Sequence, residues 1–131
     1  MAFTAAVVVL DTNALLLPFT DGTDLHGELE RLLGAPRWVV AAPSVTELAT
    51  LAAGDGATAR AAKAAQRLAA SCAVEATELP GDDGVLDVAG RLGAAVVTND
   101  RKLQGEAQRR GLAVVASRGK GRLFLKAPGA T

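Results

Sequence analysis

Two unbroken apolar runs, AVVVL at 6–10 and AAVVT at 94–98, constrain this chain more than any other feature. A strand with one face in water alternates apolar and polar residues, whereas a strand covered by helices on both faces is apolar throughout. Both runs therefore belong at the centre of a sheet with helices on each side. Further strand candidates fall at 38–42, 74–79 and 112–116, with helical patterns at 13–18, 24–33, 44–53, 57–71, 83–92 and 101–110. Strands alternating with helices point to βαβ units and a mostly parallel sheet. Glycines 34, 54, 93 and 111 sit where those helices would stop. The expectation is an α/β fold in three layers with a central, mostly parallel sheet of five strands.

A length of 131 residues suits one domain, taken as 1–131, and leaves no room for two. No apolar run reaches the roughly 18 to 20 residues of a membrane span. The opening MAFTAAVVVLDTN has no basic start and runs straight into an acid, so it reads as a first strand and not as a secretion signal. A soluble, cytoplasmic protein with no membrane partner is expected. The chain has one cysteine, Cys72, and one histidine, His26, which argues against an internal disulfide, thiol catalysis and zinc fingers. Cys72 is read as a core or helix-face residue.

Each central strand runs into a short polar cluster carrying an acid: LDTN, with Asp11, and TND, with Asp100. In open α/β sheets, ligands bind outside the carboxyl ends of the strands, and a doubly wound sheet tends to set its two most buried strands side by side. Capping a following helix is an equally ordinary task for either Asp. Glu47 lies in PSVTELATLAA, where Ser44 and Glu47 have the spacing of a capping box; Glu47 also shares a helical face with Leu51, which would turn it towards the sheet end. In DDGVLDVAGRL, helical spacing puts Asp82 in line with Val85, Leu86 and Ala89, whereas Asp83 falls with Asp87, Gly90 and Arg91 on the polar face. Asp82 is therefore assigned to the site and Asp83 to a supporting or capping position. Four carboxylates in one pocket raise one another's pKa unless a cation neutralises them. Oxygen-only ligation favours Mg²⁺ or Mn²⁺ over Zn²⁺, and such an ion activates water for phosphodiester hydrolysis.

The segments VVVLDTN, PSVTEL, DDGVLDVA and VVTNDRKLQ, in this order and spacing, resemble the signature of the PIN-domain family over most of the chain, from Val7 to about Leu125. The resemblance implies a Rossmann-like sheet with an acidic pocket at its carboxyl edge and a metal-dependent endoribonuclease leaving 5′-phosphate and 3′-hydroxyl ends. It maps the four acids onto Asp11, Glu47, Asp82 and Asp100 as catalytic and metal-binding residues. It also implies that Thr12, Asn13, Thr98 and Asn99 order the carboxylates or bound water. Within the family, the doubled DD and the SRGKGRLFL end look more like PIN proteins of ribosomal RNA processing than like VapC-type toxins. Those toxins more often carry Phe shortly after the fourth acid, where this chain has Leu103.

Net charge is zero, yet residues 1–100 carry thirteen acids against six bases, a net of −7, and residues 101–131 carry one acid, Glu106, against eight bases, a net of +7. Arg101, Lys102, Arg118, Lys120 and Arg122 are candidates for binding RNA phosphates, with 118–131 as a basic terminal segment; Arg109 and Arg110 read as a solvated helix face. With one Trp, three Phe and no Tyr, base stacking is not expected to dominate recognition. Trp38 opens a strand and reads as core, and Phe19 reads as a loop residue open to a partner. The alanine-rich helix at 57–70 offers a homodimer surface or ordinary internal packing. Three functions remain: a ribonuclease, in RNA processing with a ribosome-assembly partner or as a toxin with an antitoxin; a non-catalytic RNA-binding or assembly module; and a phosphatase or nucleotide-binding protein. DTN in place of D-x-D, and the lack of G-x-G-x-x-G and G-x-x-x-x-G-K-[ST], argue against the last.

Overall fold

Valine and alanine dominate the strands, and side chains alternate across a pleat, so each strand feeds two separate cores. In the computed structural model, which describes residues 5–128, the strands are β1 (Val7–Leu10), β2 (Arg37–Ala41), β3 (Ala73–Glu75), β4 (Ala95–Val97), β5 (Val114–Gly119) and β6 (Arg122–Lys126). They form one sheet in the order β3-β2-β1-β4-β5-β6, parallel except for β6, which runs antiparallel to β5. The helices are α1 (Thr12–Thr20), α2 (Leu25–Leu33), α3 (Ala42–Ala52), α4 (Gly56–Ala70), α5 (Gly81–Leu92) and α6 (Arg101–Arg109). Val8, Leu10, Val40, Val97 and Val115 point into a core completed by α1 to α4, with Leu15, Leu29, Leu48 and Ala62 fully buried. The alternate residues Val9, Val39, Val96 and Val114 point into a second core under α5 and α6, with Leu86, Val88 and Leu103. The result is a three-layer, Rossmann-like α/β/α fold.

The two apolar runs sit side by side, with Val8, Val9 and Leu10 of β1 registered on Ala95, Val96 and Val97 of β4. The chain leaves β1 for β2 on one side and later returns to β4 on the other. The carboxyl ends of β1 and β4 therefore form the crevice where ligands bind in such sheets. Helices α1, α3 and α6 start directly from β1, β2 and β4, which places their first turns at this edge.

Several sequence expectations need correction. The sheet has six strands: RLFLK was read as part of a basic tail, and it pairs with β5 as an edge strand through a turn at Lys120–Gly121. Both turn residues have positive φ, 55° and 77°, the geometry of tight hairpins that glycine and a few polar residues tolerate. Residues 129–131 of the basic segment lie outside the described residues. Strand β3 stops at Glu75 and not at 79, because its partner β2 ends at Ala41, where α3 begins. Helix α3 starts three residues earlier than the capping box would put it, with Pro43 in its first turn and no side-chain cap at Ala41. Phe19 is the penultimate residue of α1, exposed, and not in a loop. Trp38 is only partly buried and stacks on His26, with ring centroids 4.3 Å apart. Cys72 packs partly buried against the first core, and Ala59, Ala61, Ala62, Ala65 and Ala69 of α4 are buried within the chain as that helix packs on α3 and α1, while Ala57 and Ala70 are exposed. No described helix is long and apolar enough to cross a membrane.

Candidate functional site

Asp11 is the first residue beyond β1, and its backbone still belongs to the sheet, donating to Val97 O at 3.2 Å. Its side chain turns back over the edge. Oδ1 accepts from Ala14 N at 2.8 Å, capping α1, and Oδ2 accepts from the Thr98 hydroxyl at the end of β4. The helix-cap and site readings of Asp11 are therefore compatible, because one carboxylate has two oxygens. Asp100 is built alike: Oδ1 caps α6 by accepting from Lys102 N at 2.9 Å and Leu103 N at 3.3 Å, while Asp100 N donates to Thr98 Oγ1 at 3.0 Å. The one threonine hydroxyl thus links the ends of β1 and β4. Gln104, which sequence reasoning passed over, holds this junction from below, its Nε2 donating to Thr98 O at 3.0 Å. Its signal was a polar residue beside Leu103 and Ala107 on the buried side of α6.

Glu47 makes no capping box with Ser44, which is buried inside the first turn of α3. It instead accepts from the Thr12 hydroxyl at 3.2 Å, across from α1. Asp82 enters from the first turn of α5, a turn that packs so closely on the preceding loop that a Cβ on Gly84 would lie 2.4 Å from Leu79 O. Only glycine permits that approach. The four acids come from four separate elements and line one pocket of about 120 Å³, together with Thr12, Asn13, Ser44, Leu51, Gly81 and Val85.

Burial pushes the Asp11 carboxyl up to about 6, against the lowering by its two hydrogen bonds, and the charges of Asp82 and Asp100 push it further. Asp82 is also raised, first by burial and then by Asp100, with Lys102 opposing. The donor set is all oxygen and free of imidazole and thiolate, as a hard divalent cation requires. Among the described residues, no three His, Cys, Asp or Glu side chains are drawn together into a ready-made metal cage. Two of the four carboxylates, Asp11 and Asp100, are engaged as helix caps.

The supporting residues divide. Thr12 and Thr98 bond to Glu47 and Asp11, and Asn13 lines the pocket. Asn99 faces away: its Oδ1 accepts from Ser117 N at 2.7 Å, tying the loop after β4 to β5, so it orders the backbone and not the carboxylates. Asp83 lies outside the pocket lining, in a neighbouring hollow with Lys102 and Glu106. The basic candidates Arg101, Lys102, Arg118, Lys120 and Arg122 are all exposed, and Arg122 also pairs with Glu28 at 3.6 Å.

The family model described as the PIN like domain matches residues 8–120. Ribonuclease VapC9 of Archaeoglobus fulgidus is 31% identical over 119 residues, covering 90% of this chain and 87% of the relative. Among solved structures, the PIN domain endonuclease Utp24 superposes with a TM-score of 0.72 over 91% of this chain and 90% of its own, at 20% identity, a likeness of fold alone. A family model spanning most of the chain, with a relative above 30% identity along almost the same length, places this chain in the PIN-domain family.

Proposed function

We propose that the protein is an endoribonuclease that hydrolyses RNA phosphodiester bonds with Mg²⁺ or Mn²⁺ at the pocket of Asp11, Glu47, Asp82 and Asp100. The observation that carries this reading is the convergence of four acids, from four elements, on one small pocket at the β1/β4 crevice. The relatives named as a ribonuclease and an endonuclease agree with it.

Asp11, Asp82 and Asp100, with Glu47, would hold the ion, which supplies a water of lowered pKa and a counter-charge for the phosphodiester. The chain's own part is to aim the oxygens. Thr98 and Ala14 N set both oxygens of Asp11, and Thr12 sets Oε2 of Glu47. No imidazole or thiolate lines the pocket, so its proton acceptors are carboxylates. Cleavage of a single-stranded or loop RNA in Mn²⁺ or Mg²⁺, abolished by EDTA, is the expected result. Equal cleavage in excess chelator would sink the metal mechanism, and RNA binding with no cleavage under any divalent ion would identify a non-catalytic binding module.

For the biological role, the doubled acid and the basic end favour RNA maturation over a toxin paired with an antitoxin. Accumulation of an uncut precursor RNA on depletion of the protein tests it, and growth arrest on overproduction, relieved by a co-expressed neighbouring gene, would reverse it.

A further inference from the structure

We infer that the groove between α6 and the β5–β6 hairpin is a subsite for one unpaired nucleotide of the bound strand; the inference rests on the endoribonuclease reading and extends it. The carboxylate pocket repels a polyanion by itself and, at about 120 Å³, has no room for a base. A strand must therefore be held by groups outside it. The adjoining groove measures about 380 Å³, within the roughly 300 to 1,000 Å³ of ligand pockets, and its lining includes Asn99, Arg101, Gln104, Phe124 and Lys126. Asn99 and Arg101 flank Asp100 in the chain, so the two cavities share one stretch of backbone.

The pleat decides which side chains face this groove. Lys126 and Phe124 are registered on Val114 and Ala116, and Val114 points into the core under α6, so Phe124 and Lys126 lie on the α6 side of the edge strand. The guanidinium carbon of Arg118 lies 4.3 Å from the Phe124 ring centroid, and Lys126 Nζ lies 5.6 Å from it. Lys126 Nζ donates one proton to Gln104 Oε1 at 3.0 Å. Among the described residues, Arg101, Arg118 and Lys126 form no salt bridge, whereas Arg122 on the same hairpin is paired with Glu28. A half-buried aromatic ring with a stacked guanidinium, beside cations that have no protein anion, matches a base and its phosphate. The base joins the Arg118–Phe124 stack, and Arg101 and Lys126 take the phosphate.

Binding of a fluorescent single-stranded oligouridylate by the full chain in EDTA, where no cleavage is expected, tests the subsite apart from catalysis. Phe124→Leu should weaken binding by about five-fold to a hundred-fold, the range of one lost base stack, and Phe124→Tyr should restore it. Arg101→Gln and Lys126→Gln should each reduce the slope of log K against log salt by about 0.7. Arg60→Gln, on α4 across the sheet, should change neither affinity nor slope by as much. A 5-bromouridine probe should crosslink to Phe124 or its groove neighbours in the unaltered protein, which covers the case of a variant that fails to fold. Unchanged affinity in a folded Phe124→Leu protein, or crosslinks confined to other surfaces, would overturn the subsite even if the protein cleaves RNA. Groove-dependent binding without cleavage in Mn²⁺ or Mg²⁺ would support the subsite and remove the nuclease reading.

Discussion

At Asp11 one side chain does two jobs, and the chemistry of a carboxylate explains how. Both oxygens accept hydrogen bonds, from Ala14 N and Thr98, yet burial and the nearby Asp82 and Asp100 still raise its pKa to about 6. Desolvation and repulsion therefore outweigh the bonds in the metal-free protein. Asn is close to Asp in shape and caps a helix about as well, so Asp11→Asn should abolish cleavage without loosening α1. Without metal at pH 7 the variant should be at least as stable as wild type and by up to roughly 3 kcal/mol more, the free energy of a shift of about two pKa units. A variant that melts well below wild type and still cleaves RNA would refute the site. The same comparison separates the neighbours Asp82 and Asp83: only Asp82 lines the pocket, so Asp82→Asn should cost more cleavage activity than Asp83→Asn.

Among the elements, β6 shows how an edge strand can be finished by a helix. On the outer side of β6, Leu123 N donates to Glu28 Oε1 at 2.8 Å and Leu123 O accepts from Arg31 Nη2 at 2.8 Å. Glu28 and Arg31 of α2 thus satisfy backbone groups that would otherwise be open to another chain. Arg31, the backbone donor and Arg122 hold the Glu28 carboxyl down, from its ordinary 4.5 to about 2. A depressed carboxyl contributes stability above its unfolded pKa, and that contribution is lost as pH falls through the folded value. The Glu28→Gln protein should be less stable than wild type at pH 7, with the gap closing between about pH 5 and about pH 2. A gap that stays constant in melts across this range would show that the charge of Glu28 contributes nothing. This strand escaped sequence reading because RLFLK is short and follows a run of charge and glycine, so its alternation resembled a solvated end. The capping box failed for a related reason: Pro43 starts α3 early, which buries Ser44 and frees Glu47 to meet Thr12.

Across the whole molecule, the acidic pocket and the β5–β6 turn lie along one edge of the sheet. β5 runs parallel to β4, so its end and the hairpin turn at Lys120–Gly121 return to the edge where Asp11 and Asp100 sit. A cation that binds only the folded protein stabilises it by mass action, by about 2.7 kcal/mol at a hundred-fold excess over Kd. Mg²⁺ or Mn²⁺ should therefore raise Tm of wild type, and Asp11→Asn should lose most of the rise. Equal rises in both proteins would mean the ion binds elsewhere.

What the sequence by itself determined is the frame: continuously apolar AVVVL and AAVVT require helices on both faces, and the acid after each run lands at a carboxyl edge because strands end there. Helical spacing alone also set Asp82 and Asp83 on different faces, since both lie in one helix and their angle about its axis is local, and Asp82 is the one that lines the pocket. The tertiary structure decided what depends on pairs distant in the chain. Glu47 meets Thr12 across 35 residues and Glu28 meets Leu123 across 95, and no local pattern encodes either pairing. Phe124 and Lys126 became groove residues only once β6 paired with β5, because the pleat assigns a face and only the register says which element covers it.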